Sequence, residues 1–324
     1  MKNFTTNVFC VGNAIVDVIS EIDQSSFDLL DIVPGSMNLI DRGRSDQLLS
    51  ASDAPIESPG GSAANTAAGV ASFNGKSLFA GKVANDRLGS VFIEGNRSSG
   101  VEFAGVVVES DEATGSSIIL VTPDHERTMN TYLGVANQFS ESDFDEFALQ
   151  NSEILFCELY LWDRPQAKNA ISKAISLIDK SKGQKISISL SDTFCVERHH
   201  SEVVELIKSI DILFANEQEI KCLYNSDLET SIKRASEDVE IACITLGEKG
   251  SIVVTSEKVY NIDPEPASTV IDTTGAGDMY AAGVLFGLTN GFTLKESGRL
   301  GSLAAAEVIS HFGPRPEIKL SDLI

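Results

Sequence analysis

Apolar runs separated by turn residues recur along the whole chain, and their spacing changes between its two halves. Val8 to Ile19 reads as an apolar strand, a turn at Gly12-Asn13 and a second extended piece ending near Asp17. Ser36 to Ile40 alternates as a short strand with one exposed face. Small residues from Ala63 to Phe73 predict a helix opening at Gly60-Gly61-Ser62, and Leu78 to Val83 predicts a strand. Val106 to Val108, Ser116 to Thr122 and Thr128 to Tyr132 predict three more short strands between turn signals.

The second half alternates strand with helix. Glu153 to Cys157 predicts a strand, and Gln166 to Asp179 a helix with Ala167, Ala170, Ile171, Ala174, Ile175 and Ile178 on one stripe. Lys185–Leu190 (strand), Glu202–Ser209 (helix), Asp211–Phe214 (strand) and Glu217–Tyr224 (helix) follow. Strands Ile241–Thr245 and Ser251–Thr255 flank a turn at Gly247-Glu248-Lys249-Gly250. Such units build an α/β domain with a mainly parallel sheet covered by helices and ligands at the strands' carboxyl ends. The short N-terminal strands break the alternation, which predicts a small flap over the site.

One turn is chemically richer than the rest. Asp272-Thr273-Thr274-Gly275-Ala276-Gly277-Asp278 follows the extended Val270-Ile271 and opens a small-residue helix beginning Met279-Tyr280-Ala281-Ala282. The first amides of a helix lack intrahelical acceptors, and the dipole adds partial positive charge there. Glycine at 275 and 277 lets a ligand approach those amides, so the turn can cradle a phosphate or a developing anion. Asp278 is placed to take a proton from a hydroxyl beside that cradle, as phosphoryl transfer to an alcohol requires. Taken alone, the same residues serve equally as ordinary cap and turn chemistry. No Lys-Ser or Lys-Thr follows the glycines, so this is not a Walker A loop.

Composition narrows the classes. A chain of 324 residues with 42% hydrophobic content can bury a large core. It has no run of about eighteen apolar residues, so no membrane span is expected. Met1 to Asn7 enters a strand directly without a signal-peptide pattern, and a cytoplasmic location is expected. The five cysteines are scattered and form no CxxC or Cys/His pair, which argues against zinc and a disulfide framework. A formal charge of −22 opposes binding to nucleic acid or to an anionic membrane surface. Among the histidines, His125 and His311 stand apart and His199-His200 read as solvated surface.

The string DTTGAGD closely resembles the C-terminal signature of the ribokinase-like (PfkB) family of sugar and nucleoside kinases. Gly12-Asn13, Asp17 and Gly60-Gly61-Ser62-Ala63-Ala64-Asn65 resemble its N-terminal signature, and the resemblance spans nearly the whole chain. It implies a three-layer sandwich plus a small discontinuous β lid, from roughly residues 14–45 and 104–133, on a single domain over 1–324. It implies that Asp17, Gly61 and Asn65, with Asn13 nearby, hold sugar or ribose hydroxyls, and that Asp278 is the base beside the amides of Gly275, Ala276 and Gly277. Asn216-Glu217-Gln218-Glu219 matches an N-x-x-E element that organises Mg²⁺ through water; its plainer reading is a helix cap. Thr245, Gly247 and Gly250 resemble the turn against the nucleotide, with Thr274 also near ATP. Leu300 to Ser310 is expected to line the adenine pocket. K⁺ beside Asp272 and Thr274 is a further implication of the family. Gly81 to Gly89 resembles another family turn and reads as structural.

Three stretches, Gly35 to Asp41, Arg127 to Gly134 and Glu158 to Asp163, look like a bacterial subgroup commonly labelled adenosine kinase. Met37, Leu39, Leu120, Tyr132 and Trp162 then offer an apolar and aromatic wall for a purine, or else the core of the lid. Adenosine is the expected acceptor, with fructose, ribose or a keto-deoxy sugar acid as alternatives. A non-catalytic nucleoside- or sugar-binding regulator is the non-enzyme alternative. Retention of Asp278 argues against it. Gly12-Asn13-Ala14-Ile15 is not the G-x-G-x-x-G of a nicotinamide dehydrogenase. Monomer and homodimer both remain open.

Overall fold

The computed structural model describes residues 4–22, 30, 32, 37–52, 55–122, 127–267 and 269–324; Gly35, Ser36 and His125 lie outside them. Nearly continuous apolar runs such as Val8–Val11 and Ile241–Ile244 form strands buried on both faces, which is what a parallel sheet between helix layers demands. The main sheet has nine strands, in the order Val259–Ile262, Ser251–Val254, Ile241–Thr245, Ile212–Asn216, Lys185–Ser189, Ser152–Glu158, Thr6–Val11, Ser77–Ala80 and Glu102–Phe103. The first two pairs in this order are antiparallel, and the other six are parallel.

The period of two sorts the core into two layers. Phe9 and Val11 pack with Ile171, Val203 and Ile220 on one face. Val8 and Cys10 pack with Ala64, Ala67 and Ala282 on the other. The small-residue helix Ala276–Thr289 is buried along most of its length against Ser62–Ser72 and Leu294–Val308. A side chain at Gly283 would strike the backbone of Leu300 and Gly301, so these helices approach almost backbone to backbone.

A second sheet has five strands in the order Met37–Leu39, Arg127–Tyr132, Gly115–Val121, Ile15–Glu21 and Ile56–Gly60. Its register aligns Asp17 with Ser117, Ser117 with Thr131, and Thr131 with Leu39, a row of side chains across one face. Val16, Val18, Ile118 and Leu120 take the opposite face and pack with Leu48 of the helix Arg42–Ala51 and Phe92 of the helix Arg87–Ser98.

Several elements differ from the sequence reading. Leu78 to Val83 breaks at Gly81 into two strands, and Lys82–Ala84 pairs instead with Val106–Val108 in a separate two-stranded sheet. The strand Ile56–Gly60 was not anticipated because it carries Pro59, which an edge position tolerates. Nor was the helix Arg42–Ala51, which has no acid in its first turn and is capped by Asp41 through the amide of Arg44. Among the described residues, no helix is long and apolar enough to cross a membrane.

Candidate active site

The helix Ala276–Thr289 begins at Gly275, whose φ of +78° is left-handed and suits glycine. This N-cap offers no side-chain acceptor to the first amides; contrary to the sequence reading, the Ala276 amide is donated to the Thr273 carbonyl at 3.2 Å, which leaves those of Gly277 and Asp278 to an anion. A Cβ on Gly275 would lie 2.6 Å from Cα of Pro314, whereas Gly277 faces open space. Asp278, in the first turn, accepts a hydrogen bond from Ser62 Oγ on Oδ1 at 2.6 Å. Its Oδ2 accepts one from Asn65 Nδ2 at 3.1 Å. Burial pushes its pKa up to about 6, against the pull of Ser62, Asn65 and the Arg315 guanidinium. A carboxylate at that level is ionised near neutrality and still basic enough to take a proton.

Asp278 lines a cavity of about 390 Å³ that runs under the five-stranded sheet. Asp17 projects into it from the sheet and is 7% exposed. Burial raises its pKa to about 7, eased by Arg315 and Arg127 and reinforced by Asp278 and Asp272. A side chain at Gly60 would collide with its carboxylate. Among the described residues no hydrogen-bond donor meets that carboxylate. The cavity floor is fixed by Glu158, which accepts the amide and side-chain N–H of Asn13 on Oε1, both at 2.8 Å, and the Ala63 amide on Oε2 at 2.8 Å. Burial raises Glu158 to about 7 despite these donors. One carboxylate thus ties the Gly12-Asn13 turn to the start of the Ser62–Ser72 helix. Gly61, at φ +88°, has its place because a Cβ there would strike the Asn13 carbonyl.

Around this floor, Ile15, Met37, Leu39, Met129 and Leu133 give the cavity an apolar lining. Met37 is 42% exposed and Leu39 51%, so both keep surface available to a ligand. Tyr160 and Phe194, from the carboxyl ends of main-sheet strands, also line it, with ring centroids 6.0 Å apart.

Asn216 and Glu219 lie on the same cavity and form a reciprocal helix cap. Glu219 accepts the Asn216 amide at 2.9 Å and its side-chain N–H at 2.7 Å. Burial raises its pKa to about 7. These oxygens are of the kind that suits a hard ion keeping most of its water, and in this structure they serve the helix cap. Thr245 lines the cavity too, while Gly247 and Gly250 form the tight turn behind it. Asp272 accepts Thr274 N–H and O–H on Oδ1 at 3.1 and 2.7 Å, and the Gly313 amide on Oδ2 at 3.0 Å. Its charge is met by Arg127 of the second sheet at 2.6 Å. With Arg127 in that place, Asp272 and Thr274 do not fit a further cation such as K⁺.

Three expected wall residues stand elsewhere. Leu120 is 1% exposed and belongs to the opposite face of its sheet, one position out of phase with the cavity row. Tyr132 likewise points away, and its hydroxyl donates to Glu112. Trp162 is buried beside Lys168, with its indole N–H donated to Glu202 at 3.0 Å. His199 and His200 are not solvated surface: His199 pairs with Asp163 at 2.8 Å and His200 meets the Leu223 carbonyl at 2.9 Å. The sequence reading assigned no role to Ser62, Glu158, Arg127 or Arg315. Ser62 lay inside the recognised glycine turn, whereas Arg315, between two prolines, carries no sequence signal.

Residues 29–319 match the model of the pfkB family of carbohydrate kinases. An adenosine kinase of Saccharomyces cerevisiae is 26% identical over 98% of this chain and 99% of its own. Among solved structures, the adenosine kinase of Sinorhizobium meliloti is 41% identical, with a TM-score of 0.90 over 99% of this chain and 98% of that one. A probable sugar kinase of Rhizobium etli CFN 42 is 39% identical, with a TM-score of 0.91 over 100% and 98%. The large, mainly parallel sheet between helices with a smaller mixed sheet beside it is the ribokinase-like fold. With a glycine-bounded anion cradle, a buried carboxylate beside it and a match over nearly its full length, this chain belongs to the pfkB carbohydrate kinase family and is a phosphotransferase acting on an alcohol.

Proposed function

We propose that this kinase phosphorylates a primary hydroxyl of a nucleoside, with adenosine giving AMP as the first candidate. The observation that carries this reading is the shared cavity of Asp17 and Asp278 under an apolar lining of Ile15, Met37, Leu39, Met129 and Leu133. Among the described residues the Asp17 carboxylate meets no donor, and it can accept both hydroxyls of a ribose diol. The apolar side chains suit a base plane better than a second set of sugar hydroxyls. The likeness to two proteins described as adenosine kinases supports the same choice.

When bound, ATP supplies the phosphoryl group and Mg²⁺ screens its charge. Asn216 and Glu219 would hold that ion through water, and Thr245 presents its hydroxyl to the same space, whereas that of Thr274 is donated to Asp272. Asp278 takes the proton of the acceptor hydroxyl as its oxygen bonds to phosphorus and the bond to ADP breaks. Ser62 and Asn65 keep the carboxylate aimed. The amides of Gly275, Gly277 and Asp278 meet the negative charge of the transferring group. The five-stranded sheet excludes water, which limits wasteful hydrolysis.

A sugar acceptor is the second reading, favoured by Ser117 and Thr131, whose hydroxyls lie 3.1 Å apart in the row containing Asp17. ADP release with ATP and Mg²⁺ across adenosine, inosine, ribose, fructose and 2-keto-3-deoxygluconate decides between them. Turnover on adenosine but not the free sugars is the expected result. A preference for a free sugar would reassign the apolar lining to lid packing. Ligand binding without turnover would favour a non-catalytic binder.

A further inference from the structure

Asn65 stands between two charged groups, and the direction of its amide is decided by the one farther from the cavity. Its Nδ2 donates to Asp278 Oδ2 at 3.1 Å, and its Oδ1 accepts from Arg315 Nε at 3.2 Å. A flipped amide would set N–H against guanidinium N–H and carbonyl oxygen against carboxylate, a repulsion at both ends. Arg315 is itself held by a buried partner. Its Nη2 donates to Asn96 Oδ1 at 3.1 Å, and Nη1 reaches Ser99 Oγ at 3.5 Å. Asn96 is fully buried in the helix Arg87–Ser98, and its Nδ2 is donated to the Phe92 carbonyl at 2.9 Å. Its acceptor oxygen is therefore fixed toward Arg315.

We infer that Arg315 is a positioning residue for phosphoryl transfer, locking the Asn65 amide so that its N–H side faces Asp278. The chain Phe92 carbonyl, Asn96, Arg315, Asn65, Asp278 is one run of hydrogen bonds in which each donor leaves its acceptor one orientation. It rests on the reading of Asp278 as the base. The electrostatics agree: Arg315 helps hold down the pKa values of both Asp278 and Asp17, and the two carboxylates in turn oppose the lowering of its own pKa to about 10 by burial. Without Arg315, Asn65 is free to flip and Asp278 loses both a donor and a nearby positive charge. Its proton is then released only at higher pH.

The test is steady-state kinetics of Arg315→Met, Arg315→Lys, Asn65→Ala and the Arg315→Met/Asn65→Ala double variant, from pH 5.5 to 9. Arg315→Met should lower kcat at pH 7, measured at saturating acceptor, by about 10- to 100-fold. The acidic limb of its kcat/KM profile should move to higher pH, so that part of the loss is recovered at pH 8.5. At pH 8.5, above the acidic limb, the double variant should be no worse than about 3-fold below Asn65→Ala, because there the arginine acts through that amide. Arg315→Lys keeps the charge without the planar fork, and should keep the wild-type limb while losing part of kcat. An unmoved limb in Arg315→Met, or losses that multiply in the double variant at pH 8.5, would overturn the inference. Should Arg315→Met fail to fold, wild-type kcat in Arg315→Lys would overturn it equally. If Asp278→Asn retained wild-type turnover, the base assignment would fall instead, which separates the two failures.

Discussion

Asp17→Asn separates what this carboxylate does for binding from what it costs the fold. The side chain is 7% exposed and meets no protein donor among the described residues, so its ionised form is poorly solvated. Its pKa rises from 3.8 to about 7 on folding, mainly through burial. The folded state therefore holds the proton more tightly than the unfolded chain. That contribution is fully present below pH 3.8 and is lost as pH rises through about 7. The whole displacement corresponds to about 4 kcal/mol against the ionised folded state. Asparagine keeps the shape and removes the charge, and the attraction of Arg315 and Arg127 is already contained in the value of about 7; desolvating the new amide in the same place offsets about half of the gain. A gain of about 2 kcal/mol above pH 7, or roughly 3 °C in unfolding midpoint, is expected for the variant, shrinking toward zero near pH 4. The assay is thermal unfolding of both ligand-free proteins from pH 4 to 8. Taking their difference cancels the general repulsion of a chain carrying −22 charges. The same variant should raise acceptor KM by about 30-fold or more, since a charged acceptor of hydroxyl hydrogen bonds is gone. Equal destabilisation at every pH would refute the reasoning and make Asp17 a structural acceptor.

Asp278→Asn should lower kcat by about 10²- to 10⁴-fold while ATP affinity, measured by calorimetry, stays within several-fold. Gly275→Ala combines a φ of +78° with a Cβ 2.6 Å from Pro314, so kcat and the unfolding midpoint should fall together; a fully active, equally stable variant would remove the tight-loop argument. Met129→Ala, on the cavity wall, should raise acceptor KM by about 5-fold or more, whereas Tyr132→Phe, on the far face, should leave it within about twofold. The reverse order in KM would mean that the sheet's faces are assigned the wrong way round.

The two glycine turns were legible because each compresses a geometric demand into a few adjacent residues. Gly61 and Gly275 both have left-handed backbones, and Asp278 follows the second at the first turn of its helix. The alternating strands and helices of the main sheet were legible for the same reason, since each signal is local. The lid wall was harder. A strand's two faces differ by one position, and Leu120 and Tyr132 look as suitable for a purine as Met129 does. Only pairing register, which aligns Thr131 with Ser117 and Ser117 with Asp17, reveals which set faces the cavity. Arg315 and Arg127 were invisible for a third reason. Their partners, Asn65 and Asp272, lie far away in sequence, and nothing local marks an arginine whose work is to hold a distant group.

The row across the small sheet also bears on how one scaffold changes its diet. Asp17, Ser117, Thr131 and Leu39 are neighbours on four different strands, and each side chain stands free of the layer that holds the sheet to its helices. Exchanging one of them reshapes the room for the acceptor without disturbing the opposite face. The phosphate end has no such freedom. Ser62, Asn65, Asp278 and Arg315 constrain one another, and Glu158 staples two of their supporting turns. Acceptor preference can therefore drift residue by residue in a lineage, whereas the transfer chemistry must be inherited as a block.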